Sequence, residues 1–124
     1  MPVSTRTLIA LTLSVLALSA CGGTEPTVRE RTGNISVTLD DYLIRPQNIS
    51  VPKGRELTAT VTNRGRLGHT FRIRGRNKNV LAFTTLQPGE TKSRKFKLAK
   101  GKYTMYCALA NHEELGMYGT LVVG

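Results

Sequence analysis

Residues 69–74 read His-Thr-Phe-Arg-Ile-Arg and alternate apolar with basic side chains. The apolar residues Phe71 and Ile73 alternate with two arginines, and His69 shares the apolar parity. Side chains two residues apart lie on the same face of a β-strand. The pattern therefore predicts a strand that turns His69, Phe71 and Ile73 towards a core, because an α-helix would need a 3.6-residue repeat instead.

Similar short runs, rich in β-branched and aromatic residues, continue on both sides of this segment and are separated by Gly, Pro and Asn. No segment sustains a helical stripe, and only residues 108–115 suggest a helical turn. Many short strands at this spacing are typical of a β-sandwich, so the predicted fold class is all-β. The other predicted strands are residues 35–39, 42–44, 49–51, 56–63, 80–84, 91–97, 103–107 and 119–123.

Composition limits what such a chain does. Its 124 residues allow one domain. The 2 Cys are too few for a disulfide-dense scaffold, and the 2 His are too few for a multicopper or multi-zinc enzyme. There is room for at most one small metal site.

The amino terminus resembles an export signal. One arginine precedes an apolar run that is too short to span a bilayer and ends in small residues. Leu18-Ser19-Ala20-Cys21 resembles the lipobox of bacterial lipoproteins, which implies a lipid on the thiol of Cys21. We therefore expect a lipoprotein signal peptide at residues 1–20, a flexible tether at 21–33 and the folded domain at 34–124. The protein would be extracytoplasmic and lipid-anchored to a membrane, periplasmic or on the outer face.

The residues that carry chemistry lie around residue 107. Four residues separate Cys107 from His112, and four more separate His112 from Met117. His69 lies upstream at a strand end. One thiolate, two imidazoles and a thioether suit copper, with a His2Cys plane and a weak axial Met. Zinc would use the Cys and His ligands, but closed zinc sites rarely include Met. A Cys–His nucleophile is the enzymatic alternative, although the sequence shows no oxyanion device.

The domain also resembles the cupredoxins, the small blue copper family that includes plastocyanin, azurin, halocyanin and auracyanin. The resemblance covers residues 35–124 and is carried by segments 63–71, 103–107, 107–117 and 116–123. It implies a Greek-key β-sandwich of about 7–9 strands. It also implies one copper ion, cycling between Cu(I) and Cu(II), bound by His69, Cys107, His112 and an axial Met117.

Two departures accompany the resemblance. The residue after the first His is often Asn or Asp in the family and ties the ligand loops together; here it is Thr70, whose hydroxyl can make some of those bonds. Glu113 and Glu114 add negative charge beside the second His. In the family this His lies near the surface in an apolar rim. The candidate rim residues here are small or apolar, namely Leu67, Gly68, Leu109, Ala110, Leu115 and Gly116.

The basic charge is the remaining signal. The formal net charge is +10, and no acidic residue occurs between Glu56 and Glu90. A solvated surface that keeps the protein soluble explains this charge as well as a functional surface does. The functional alternatives are docking of acidic redox partners and attraction to anionic lipid headgroups near the anchor. Nucleic acid is not an expected partner, since no basic–aromatic interleaving suits base stacking. We expect a monomer that makes transient contacts.

The sequence thus predicts a membrane-tethered type 1 copper protein that shuttles single electrons between redox complexes and is not an enzyme. A copper carrier or chaperone that does not cycle its metal is the alternative. A small thiol enzyme built on Cys107 and His112 is a third possibility.

Overall fold

The computed structural model describes residues 25–52 and 56–124. The predicted signal peptide and Cys21 lie outside the described residues. Two sheets pack face to face, and no helix occurs in the described ranges. The ten strands are β1 (Thr27–Arg29), β2 (Asn34–Asp40), β3 (Leu43–Arg45), β4 (Asn48–Val51), β5 (Leu57–Asn63), β6 (Arg72–Arg74), β7 (Asn79–Ala82), β8 (Thr91–Phe96), β9 (Gly101–Tyr106) and β10 (Tyr118–Val123).

The larger sheet has the order β1-β4-β10-β9-β6-β7, and the smaller sheet has the order β3-β2-β5-β8. Three pairs are parallel, namely β1 with β4, β4 with β10, and β2 with β5. The other pairs are antiparallel. This two-sheet, all-β architecture confirms the predicted fold class.

The core between the sheets follows from alternation along the strands. In β5, Leu57, Ala59 and Val61 are buried while the threonines between them are half-buried. Phe71 is fully buried and lies 6.2 Å from the ring of Phe83. Apolar burial of this kind is the main favourable term in folding, so the parity deduced for residues 69–74 has a clear energetic cause.

Two predicted boundaries differ from the structure. The strand expected at 69–74 begins only at Arg72, because His69 makes an isolated bridge with Leu86 instead of joining the ladder. Residues 27–29, expected in the tether, form β1 on the edge of the larger sheet. All three residues of β1 are exposed, so it lacks the alternating apolar signal by which strands are recognised.

Within the described part of the chain, the structure contains no helix of the length and apolarity that a bilayer-spanning segment requires.

Candidate metal centre

Asn63 shapes the loop that leads to His69. Its side chain is fully buried at the end of β5, and its amide nitrogen donates to the carbonyls of Leu67 at 2.8 Å and Leu86 at 2.9 Å. Its amide oxygen accepts from the backbone of Gly65 at 2.9 Å. A buried amide with all these partners fixes a loop firmly, since breaking any bond leaves a polar group unsatisfied.

His69 is fixed at both its backbone and its ring. Its backbone exchanges hydrogen bonds with Leu86, at 3.1 and 2.7 Å. Its ring is completely buried, and its Nε2 lies within hydrogen-bond distance of Oδ1 of Asp41, at 3.1 Å. The other ring nitrogen, Nδ1, therefore faces the remaining candidate ligands.

Cys107 and His112 come from the loop that joins β9 to β10. Cys107 directly follows β9 and is buried, with its thiol free. Turns over residues 109–116 bring the chain back, with the His112 amide donating to the carbonyl of Leu109 at 3.0 Å. Gly116 has φ +111°, a backbone conformation that glycine adopts without steric cost.

Three of the four predicted ligand residues converge on one point. Nδ1 of His69 lies 3.2 Å from Nδ1 of His112, and Sγ of Cys107 lies 4.0 and 3.6 Å from those two atoms. Two donor atoms that share one ion at about 2.0–2.3 Å lie at most about 4.6 Å apart. All three distances satisfy this limit, so the side chains fit a single ion.

Met117 closes the same loop. Its amide donates to the carbonyl of His112 at 3.0 Å, and its carbonyl accepts from the amide of Cys107 at 3.1 Å. Its side chain is fully buried. The backbone of Met117 is thus held beside two of the clustered residues, while its role as the fourth ligand stays a prediction.

Thr70 connects the two ligand-bearing segments, as its position after His69 suggested. Its hydroxyl oxygen accepts from the amide of Ala108 at 2.8 Å, and the hydroxyl donates to Sγ of Cys107 at 3.7 Å. Hydrogen bonds to the sulfur reduce its electron donation, which is one way a protein tunes a copper–thiolate site.

Glu113 does not act as a free negative charge beside His112. Both of its carboxylate oxygens accept from the guanidinium of Arg74, which lies 4.2 Å from the centre of the Tyr106 ring. The hydrogen bond with Glu113 raises the pKa of Arg74 above its ordinary value. The ion pair therefore compensates the charge of Glu113, one of the two acidic residues that follow His112.

Two residues at the site were not identified from the sequence. Asp41 and Tyr42 form the turn between β2 and β3, and the Tyr42 ring meets the His112 ring edge-on with centroids 5.1 Å apart. The carboxylate of Asp41 accepts from the ring of His69 and from the amides of Arg66 and Leu67. The bond from His69 lowers the pKa of Asp41, and the amide of Arg66 lowers it further.

The apolar rim has a partial counterpart in the structure. Leu67 is 41% exposed and Leu115 is 52% exposed, and these two lie in the loops that carry His69 and His112. Leu109 instead packs against the core. Exposed side chains of this size around a half-buried His offer a contact surface without strong affinity.

Comparisons with known proteins agree with the geometry. The model of the cupredoxin-like domain family matches residues 8–123. The fold is similar to that of dithionite-reduced auracyanin from Roseiflexus castenholzii, at 18% identity and a TM-score of 0.69, with 77% of this chain and 99% of that chain covered. No curated protein sequence matches the chain.

Two further solved structures have a similar fold. Rusticyanin from Thiobacillus ferrooxidans is 16% identical, with a TM-score of 0.66 and coverage of 79% of this chain and 82% of that chain. An azurin from Methylomonas sp. strain J is 23% identical, with a TM-score of 0.63 and coverage of 73% and 97%. The family match and the clustered donor atoms of His69, Cys107 and His112 confirm the predicted cofactor, one copper ion.

Proposed function

Because the chain belongs to the cupredoxin-like family, we propose that it is a type 1 copper protein that carries one electron at a time between larger redox complexes. The observation that carries this proposal is the convergence of Cys107 Sγ with the Nδ1 atoms of His69 and His112 within 4.0 Å of one another. Copper bound there would supply one-electron redox chemistry. The protein itself performs no substrate reaction in this proposal.

In this proposal the protein holds a fixed ligand geometry that is intermediate between those preferred by Cu(I) and Cu(II). Sulfur favours Cu(I) and imidazole favours Cu(II), so a fixed mixed set suits both oxidation states. Asn63, Thr70 and the Cys107–Met117 backbone bond fix the donors independently of the metal. Little rearrangement is then needed when the oxidation state changes.

The experiment that tests this function is a copper titration followed by visible spectroscopy. The full chain carrying Cys21→Ser, purified in detergent, keeps Cys107 as its only thiol. One equivalent of Cu(II) should produce an intense thiolate-to-copper band that bleaches with dithionite and returns on reoxidation. A weakly coloured complex that gives its copper to a Cu(I) chelator would instead support the copper-carrier alternative.

Met117 is the proposed axial ligand, and Met117→Leu tests it. Loss of a weak sulfur donor leaves the equatorial set intact, so the colour should remain while the reduction potential rises. Protein-film voltammetry measures the shift. Met105→Leu is the matched control, since Met105 is equally buried and shares the face of Cys107 but lies within β9. Equal potentials in the two variants would remove Met117 from the ligand set.

For location, we propose that the protein is extracytoplasmic and held at a membrane by a lipid on Cys21. The support is the signal-like segment and the lipobox resemblance in the sequence. Two acyl chains on one residue hold a protein stably at a bilayer. Growth with labelled palmitate should label the wild-type chain and leave the Cys21→Ser variant unlabelled.

For partners, we propose transient docking of an acidic redox protein. Arg64 and Arg66 are exposed in the loop that leads to His69, and within the described residues neither guanidinium forms an ion pair. A basic surface raises the association rate of an anionic partner at low salt, by about 10–1000-fold. Reduction by ferrocyanide, an anionic probe, should slow with added salt, and Arg64→Gln with Arg66→Gln should weaken that dependence. The double change Lys97→Gln with Lys100→Gln, at two exposed positions in the connection between β8 and β9, is the charge-matched control.

A further inference from the structure

The turn between β2 and β3 contacts both candidate histidines. Asp41 bonds the His69 ring at 3.1 Å, and Tyr42 packs its ring against His112. Asp41 lies 28 residues before His69 in the chain. The contact is therefore a product of the fold and not of local sequence.

The carboxylate of Asp41 is itself held in place. Oδ1 accepts from the amides of Arg66 at 2.9 Å and Leu67 at 3.2 Å, and Oδ2 accepts from Arg66 at 3.1 Å. The side chain is 28% exposed, so water reaches one side of it. Gly65 permits this approach, because a Cβ at that position would overlap Oδ1 of Asp41.

The direction of the His69 bond has a chemical consequence. An ionised carboxylate only accepts hydrogen bonds, so Nε2 of His69 must carry the proton. In a neutral imidazole the other nitrogen then has a free lone pair, and Nδ1 is the atom that faces Cys107 and His112. A carboxylate on the far nitrogen also increases the basicity of a metal-binding His.

We propose that Asp41 is a positioning residue of the copper site, which selects the ligating tautomer of His69 and lowers the reduction potential by strengthening the donor to Cu(II). The proposal rests on the proposed copper function. Asp41 acts through His69 and is assigned no contact with the metal. Within the described residues its carboxylate has no Lys or Arg partner, whereas that of Glu113 is paired with Arg74.

The test is Asp41→Asn in the full chain carrying Cys21→Ser. The amide oxygen keeps an acceptor for the Arg66 and Leu67 amides, so the turn is retained while the charge is lost. We expect Cu(II) affinity to fall by about 10–100-fold, as for loss of other outer partners of a metal ligand, and Cu(I) affinity to fall by less. Each tenfold fall in the ratio of Cu(II) affinity to Cu(I) affinity raises the reduction potential by about 59 mV, because one electron is transferred. Glu25→Gln, which removes one exposed carboxylate before β1, is the charge control and should not shift the potential.

A second readout needs no copper. Nitrogen-15 NMR of the metal-free wild-type protein should show His69 protonated at Nε2, and Asp41→Ala should give a mixture of tautomers. Protonation at Nδ1 in the wild-type protein, or equal potentials in the Asp41→Asn and Glu25→Gln variants, would overturn the proposal. If Asp41→Asn does not fold, the protonated ring nitrogen of His69 in the wild-type protein decides whether the proposal stands. Absence of a blue band in the wild-type protein would overturn the proposed function and leave the tautomer result standing.

Discussion

Replacement of Cys107 by serine should abolish the intense visible band of the copper-loaded protein. Serine preserves the size of the side chain, but its oxygen is a harder and weaker donor to copper than a thiolate. His69 and His112 remain 3.2 Å apart at their Nδ1 atoms and should still bind Cu(II) weakly. We expect the affinity loss to exceed the roughly 10–100-fold that outer-shell changes cause. Absorption and electron paramagnetic resonance spectra measure both effects.

The interpretation of Cys107→Ser depends on an intact fold. Position 107 is buried, and the hydrogen bond from its backbone amide to the Met117 carbonyl does not involve the side chain. The metal-free variant should therefore unfold within a few degrees of the wild-type protein, which differential scanning calorimetry checks. Met105→Leu should keep the full band. A serine variant that retained an intense, reducible band would show that Cys107 is not the thiolate ligand.

Gly65→Ala should damage both stability and copper binding. An added Cβ would overlap Oδ1 of Asp41 and would lie 3.1 Å from both the amide nitrogen of Asp41 and Nε2 of His69. One of these groups is backbone, so the crowding is not relieved by rotating a side chain. Overpacking of this kind costs about 1–3 kcal/mol, and each kcal/mol lowers Tm by about 4–8 °C in a domain of this size. Because His69 is displaced, Cu(II) affinity should also fall.

A matched glycine separates crowding from a general effect of alanine. Gly75 has no positive φ, and its added Cβ would meet the ring of Tyr103 at an ordinary 3.4 Å. Gly75→Ala should keep Tm within about 4 °C of the wild-type value, which corresponds to at most 1 kcal/mol. Thermal unfolding of the metal-free proteins makes the comparison. Equal stability of the two variants would mean that the turn at Asp41 yields easily, contrary to the contacts of its carboxylate.

Local pattern predicted most of the fold because most of the strands bury alternate residues. β2, β5 and β10 have such patterns, and their predicted ranges are within two residues of those observed. β1 escaped prediction because its three residues are exposed. The strand at residues 69–74 is shortened because Asn63 and Leu86, rather than a neighbouring strand, hold the backbone around His69.

The candidate site likewise contains residues that the local sequence predicted and a residue that it did not. Cys107, His112 and Met117 lie within one short loop, so their spacing alone indicated a shared site. Asp41 acts on a residue 28 positions away, and a turn that begins Asp-Asp-Tyr has the composition of an ordinary surface turn. The tertiary fold brings it to His69, and that placement is not encoded in any local repeat.

The hydrogen bond from the Cys107 amide to the Met117 carbonyl gives the loop that carries three of the proposed ligands a closure of its own. It closes the 107–117 loop at its base, while the backbone of His69 is held separately by its hydrogen bonds with Leu86. A loop of another length can therefore replace residues 107–117 if it keeps the amide at position 108, which donates to the Thr70 hydroxyl and joins the two segments. The metal preference and the colour of the site could then be redesigned by exchanging this loop while the β-sandwich stays unchanged.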